Sequence, residues 1–244
     1  MTLLRNLETG AEIFLVGTAH VSANSAEEVK EVIRRVKPQT VMIELDPQRA
    51  KQLMSGDQQS GFSFAQTMIQ KLTGGGRGSW AQMFAGAGMT AMYRMLRVAG
   101  LDPGAEFKAA ILEAENIGAR IVYGDQDQNT TMARISQHLG LQNLMRMLAA
   151  SASDSAGMAE LIKDDPLSKM SLVDRVEAMK TRIAVRKTLE AVRRLNPKLV
   201  EALVDERDQI MVDCLGKLEG TVVGVVGLGH LDGMERLWAQ RSGA

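Results

Sequence analysis

The sequence predicts an α/β fold, a small, largely parallel sheet with a large helical insertion, closed by a strand near the C-terminus. Three observations carry this prediction. Short apolar runs alternate with a helix-period segment between Glu12 and Leu45. A further apolar run, Thr221 to Gly227, stands far along the chain from them. Between them, residues 55–100 and 140–218 read as helical insertions within one domain that spans 1–244. An α+β arrangement, with helices and strands segregated, is the alternative.

Glu12 to Gly17 (EIFLVG) is the first strand. Ala26 to Val36 is a helix, because Val29, Val32, Ile33 and Val36 recur at helical spacing. Ser25 stands at the N-cap position, and Pro38 follows the end. Thr40 to Leu45 (TVMIEL) is the second strand, so the three segments form a βαβ unit with a right-handed crossover. Asp46 and Pro47 open another helix. Residues 55–80 are irregular and include GGGRG at Gly74 to Gly78. No Lys-Ser/Thr follows it, so it reads as a flexible loop and not a P-loop.

Phe107 to Ile117 is a helix, and Arg120 to Gly124 (RIVYG) a strand. Ser151 to Asp165 is small and polar, a linker between helices. Two long helices, Ser171 to Leu195 and Lys198 to Leu218, are broken at Asn196-Pro197. The last strand, Thr221 to Gly227 (TVVGVVG), precedes a short closing helix from Asp232.

Composition excludes several functions. Lys plus Arg and Asp plus Glu both number 29 among the 244 residues. A neutral chain is neither a bulk-charge nucleic-acid binder nor a polybasic membrane-surface protein. Cys214 is the one cysteine, which rules out an internal disulfide and a cysteine zinc cluster. It falls mid-helix on an apolar stripe, a poor place for a catalytic thiol. Met1 to Asn6 lacks the apolar core of a signal peptide. Gly78 to Tyr93 is uncharged but only 16 residues long, short of the ~20 a spanning helix needs. It reads as a Met-rich buried helix, with Met92, Met95 and Leu96 on one face. The chain is therefore expected to be soluble and intracellular, with any membrane association supplied by segments or partners outside it.

The chemistry gathers at strand ends. The first strand runs into Gly17-Thr18-Ala19-His20, and the last into Gly227-Leu228-Gly229-His230. The second strand ends in Glu44 and Asp46, and the RIVYG strand ends in Asp125. Open parallel sheets bind ligands at that carboxyl edge. Two histidines and several carboxylates converging there would suit a divalent metal or an acid/base pair. His138, with no carboxylate motif around it, reads as structural or exposed.

The helix from Lys198 has two apolar rows. One is Leu203, Ile210 and Cys214, and its neighbour is Val200, Val204, Met211 and Leu215. Glu206 and Arg207 fall within these rows. A buried arginine needs a carboxylate. Spacing alone leaves open an internal ion pair or a helix laying both side chains against the sheet edge. Gly227-x-Gly229-x-x-x-Gly233 is not a dinucleotide fingerprint, since no second strand follows. A GxSxG nucleophile elbow is absent.

These residues resemble the TraB/PrgY family through most of the chain. The likeness runs through VGTAHVS (Val16 to Ser22), VMIELDPQR (Val41 to Arg49), PGAEF (Pro103 to Phe107) and IVYGDQDQNTTMAR (Ile121 to Arg134). It closes with DERD (Asp205 to Asp208) and VVGVVGLGHLDGMERLW (Val222 to Trp238). The family is similar to a wider superfamily of Tiki-type metalloproteases, erythromycin esterases and ChaN-like proteins. From the Tiki-like members, the resemblance implies a divalent-metal site of His20, Glu44 and His230, with Glu206 and Arg207 in support. Asp46, Arg49, Glu106, Asp125 and Arg134 fall within the matched motifs. The family's usual GDRP is here Gly124-Asp125-Gln126-Asp127, so a role for an arginine at 126 is lost.

Two functions are expected from these residues. One is a metal-dependent hydrolase of peptide or ester bonds, with Mn²⁺, Co²⁺ or Zn²⁺ on His20, His230 and Glu44. Glu44 would be ligand or general base, and Arg207 would stabilise an oxyanion. The other is a non-enzymatic module that sequesters a peptide or cofactor, or acts as an adaptor on an organelle surface. The resemblance also implies association with mitochondria, often at the outer membrane.

Overall fold

The computed structural model of the chain describes residues 1–18, 23–55, 105–138 and 181–242. His20, the GGGRG loop, the apolar segment 78–93, the linker 151–165 and the first part of the helix expected from Ser171 lie outside the described residues.

The chain builds one five-stranded sheet. Its strands are β1 (Thr2–Arg5), β2 (Glu12–Thr18), β3 (Thr40–Ile43), β4 (Arg120–Tyr123) and β5 (Thr221–Gly227). Their order is β1-β2-β5-β3-β4, with β1 antiparallel and the rest parallel. The predicted α/β sheet is present and open. The short β1 was not anticipated, since of its four residues only Leu4 is buried and no alternation is long enough to read.

β5 lies in the middle of the sheet, between β2 and β3. Its sequence explains this, because two valine pairs, Val222-Val223 and Val225-Val226, suit a strand buried on both faces. Alternation then assigns the faces. Val222 and Val226 join Ile13, Leu15, Met42, Met211, Leu215 and Trp238 in one cluster. Val223 and Val225 join Val16, Val41, Ile43, Ile33 and Phe107 in the other.

Helices cover both faces. On one side lie α1 (Ala23–Val36) and α3 (Ala105–Ile117). On the other lie α7 (Glu206–Leu215) and α8 (Leu228–Ser242). The remaining helices are α2 (Pro47–Ser55), α4 (Gln128–His138), α5 (Arg182–Leu195) and the single turn α6 (Pro197–Val200).

Some helix boundaries differ from those expected. α1 starts at Ala23, so Ser25 sits inside its first turn and is not its cap. The expected break at Asn196-Pro197 is present: α5 ends at Leu195, the Asn196 side chain accepts from Leu199 N, and Pro197 occupies the first helical position of α6. The helix expected from Lys198 to Leu218 is interrupted by a π-helical turn, Glu201–Asp205, before α7. Ile210 is 36% exposed, whereas Val200, Val204, Met211 and Leu215 are buried as expected. Among the described residues no helix is long and apolar enough to cross a membrane.

Candidate functional site

Parallel strands end where backbone groups run out of partners, and side chains take over there. Glu44 follows β3, and its own N–H still bonds Val225 O at 3.1 Å. Its carboxylate turns toward the neighbouring strand, where Oε2 accepts from Gly227 N at 2.6 Å. Gly227 is the last residue of β5, immediately before α8. Glu44 thus satisfies a backbone donor at a helix N-terminus, a favourable place for an anion.

α8 begins at Leu228, four residues earlier than Asp232, so the second GxxH ends in the first turn of a helix. That turn carries His230 into the sheet edge with no exposed surface. The ring is bracketed by two carboxylates. Nδ1 lies 2.6 Å from Asp208 Oδ1, and Nε2 lies 3.1 Å from Glu44 Oε1.

Arg207 enters from α7. Its Nε and Nη2 grip both oxygens of Asp125 at 2.9 and 2.8 Å, a bidentate pair. Nη2 also donates to Glu44 Oε1 at 2.6 Å, and Nη1 to Leu203 O in the π-helical turn at 3.0 Å. Arg49 of α2 reaches the same Asp125 at 3.0 Å. The result is one buried chain: Arg49, Asp125, Arg207, Glu44, His230 and Asp208. With His230 as an imidazolium, three cations face three carboxylates, which is how so many charges can leave water together.

The titration of these groups is set by their neighbours. Burial opposes the charge on Arg207, but Asp125 and Glu44 outweigh it and hold its pKa above the ordinary value. Burial lowers that of Arg49. Burial also opposes the His230 charge, yet Glu44 and Asp208, against Arg207, push its pKa up to about 10. Burial raises Asp208 to about 6 against the pull of His230. Cys214, in the last turn of α7, is pushed upward by burial, consistent with an inert thiol.

The structure brings together Glu44, His230, Arg207, Asp125 and Arg49. It places Glu206 elsewhere, paired with Arg134 of α4. Asp46 is buried and caps α2, with Oδ1 accepting from Gln48 N and Arg49 N at 2.8 and 3.0 Å. Glu106 is buried in the first turn of α3. His138 ends α4 half-buried, and its backbone oxygen accepts from Asn196 Nδ2. Gln126-Asp127, standing where an arginine and proline were expected, has a local role. Asp127 Oδ1 accepts from Asn129 N and Thr130 N and so caps α4.

Asp208 was missed. Its signal was the spacing Val204, Asp208, Val212, an i, i+4 row all of whose members are buried.

Two ligand atoms on one ion, with bonds of ~2.0–2.1 Å, lie about 3.0–3.4 Å apart. The 3.1 Å between His230 Nε2 and Glu44 Oε1 falls in that range. A carboxylate behind the imidazole, as Asp208 is, is the usual support of a ligating histidine. The spacing suits two ligands of one ion and equally a hydrogen-bonded histidine and carboxylate, with Glu44 Oε1 also accepting from Arg207 Nη2. Among the described residues no group of three or more His, Cys, Asp or Glu is arranged to hold one, and His20 lies outside them.

An open groove of about 620 Å³ runs beside this corner, between α5 and the start of α8, and is lined in part by Asp208, Leu228 and Gly229.

Comparison with known proteins bears on the whole chain. The sequence model of the TraB/PrgY/gumN family matches residues 3–242. An uncharacterized protein of Methanocaldococcus jannaschii is 29% identical, with 92% of this chain and 53% of that protein aligned. The TraB domain-containing protein of Bos taurus is 27% identical over 95% of this chain and 63% of its own length. Its Homo sapiens counterpart is 26% identical over 95% and 64%. The chain thus spans between half and two thirds of the length of these relatives.

Proposed function

The chain belongs to the TraB/PrgY/gumN family, and from that premise we propose that it is a metal-dependent hydrolase of peptide or ester bonds centred on Glu44 and His230. The observation that carries the proposal is the 3.1 Å approach of His230 Nε2 to Glu44 Oε1 at the carboxyl edge of the sheet. When bound, Mn²⁺, Co²⁺ or Zn²⁺ would supply polarisation of the scissile carbonyl and acidification of water.

The chain's own residues do the rest. Glu44 and His230, with His20, are the residues that would hold the ion. Glu44 is oriented by Gly227 N through one oxygen, and the other lies between Arg207 Nη2 and His230 Nε2. Arg207, fully buried against Asp125 and Glu44, acts as a positioning residue that keeps Glu44 aimed. Arg49 also anchors Asp125, through the Oδ2 that Arg207 Nη2 holds. The groove beside Leu228 and Gly229 offers substrate a path to the residues flanking His230. Association with an organelle membrane, through segments or partners beyond this chain, belongs to the same proposal.

The test is metal content and hydrolysis together. Wild-type protein is expected to retain about one ion per chain and to hydrolyse a peptide or ester library. The His20→Ala/His230→Ala variant is expected to lose both. Equally little metal in the two proteins would overturn the metal site. Capture of a peptide without turnover, persisting in His20→Ala, would put a binding or regulatory module in its place.

A further inference from the structure

Asp208 is the unassigned group in the buried chain, and its surroundings differ from those of a packing residue. Its side chain is completely buried. Oδ1 meets His230 Nδ1 at 2.6 Å. Oδ2 is equally buried and has no hydrogen-bond partner among the described residues. An unmet buried carboxylate oxygen is costly, so a merely structural position would favour a neutral residue. The carboxylate is also given space that only glycine can leave. A Cβ added to Gly233, one turn after His230 on α8, would lie 1.8 Å from Oδ2. The glycine of His230-Leu231-Asp232-Gly233 is thus matched to a carboxylate on a different helix. Asp208 and Gly233 both line the groove beside α5, next to the turn that carries His230.

We propose that Asp208 is the positioning residue of His230, and that Gly233 forms the cradle that admits its carboxylate. Oδ1 holds the ring by Nδ1–H, which fixes the ring plane and turns Nε2 toward Glu44. The functional importance of that orientation rests on the reading of His230 as a metal ligand. The orientation itself does not, which lets the two be tested apart.

The experiment uses metal-free full-length chain with ¹⁵N-labelled histidine. The wild type is expected to give a downfield, slowly exchanging His230 Nδ1–H signal. In Asp208→Asn, which keeps the shape and loses the charge, that proton is expected to move upfield and exchange faster. Gly233→Ala is expected to do the same by displacing the Asp208 carboxylate while both polar groups stay chemically unchanged, and it carries the test if Asp208→Asn does not fold. Titration with Mn²⁺ or Zn²⁺ is expected to show affinity about 10–100-fold weaker in both variants. His230 signals unchanged from wild type in the folded variants would overturn the proposal. A wild type that binds neither ion, with the signals still shifted in the variants, would overturn the hydrolase reading and leave the positioning role standing.

Discussion

Arg207 has the most demanding environment of any side chain in the site. It is fully buried, and its charge is matched by Asp125 and Glu44. Removing one partner of a buried ion pair strands the others, at a cost of about 3–5 kcal/mol. Arg207→Met is therefore expected to lower the melting temperature by about 10 °C, read by calorimetry. A drop of under a couple of degrees would contradict the network as described. His230 gives the pH dependence. Its pKa is raised from 6.5 to about 10, so its stabilisation is full below about 6.5 and is lost as pH climbs through 10. Asp208, raised from 3.8 to about 6, acts in the same direction at lower pH: its contribution is full below 3.8 and is lost as pH rises through 6. The wild type is expected to lose melting temperature steadily between pH 7 and 10, and His230→Gln to show a flatter profile. At this scale the sequence was partly legible. Two buried-row residues, Glu206 and Arg207, looked alike. As neighbours on one helix they point about 100° apart, which sends one to the cluster and the other to Arg134.

The elements that carry these residues are held by close backbone approach and not by surface charge. Gly17 near the end of β2 admits α8, since a Cβ there would lie 2.2 Å from Leu231 Cδ1. Gly17→Ala is expected to overpack this contact by about 1–3 kcal/mol and to disturb the turn bearing His230. α5, by contrast, is tied to α8 through Arg182 and Arg186 on Asp232, pairs that are half in solvent. Arg186→Ala is expected to leave the melting temperature almost unchanged, and added salt to matter as little. The comparison of these two variants by thermal denaturation decides which contact fixes α8. The strands were legible because their apolar runs are short and bounded by glycine or proline. The start of α8 was not, since Gly227-Leu228-Gly229 reads as a loop until Glu44 supplies the partner that Gly227 N lacks.

At the scale of the molecule, the fold brings the two ends of the chain together. β5 pairs with β2 along seven residues, Glu12 with Thr221 through Thr18 with Gly227. It pairs with β3 on its other side. The C-terminal strand therefore completes the sheet from its centre, and it delivers His230 beside Glu44. The α/β class and the parallel pairing were readable from the apolar runs. The central place of β5 was not, because strand order depends on contacts between residues far apart in sequence, such as Val41 with Val223.

The central claim is that this edge of the sheet takes up a divalent ion on Glu44 and His230. With each ring nitrogen of His230 against a carboxylate, the ring carries two protons in the metal-free protein, and one must leave when an ion arrives. Calorimetric titration of Zn²⁺ or Mn²⁺ at pH 8, in buffers of different ionisation enthalpy, counts that proton directly. The account predicts release of about one proton per ion in the wild type and weak binding with no release in His230→Gln. Absence of binding, or binding without proton release that His230→Gln leaves unchanged, would contradict it.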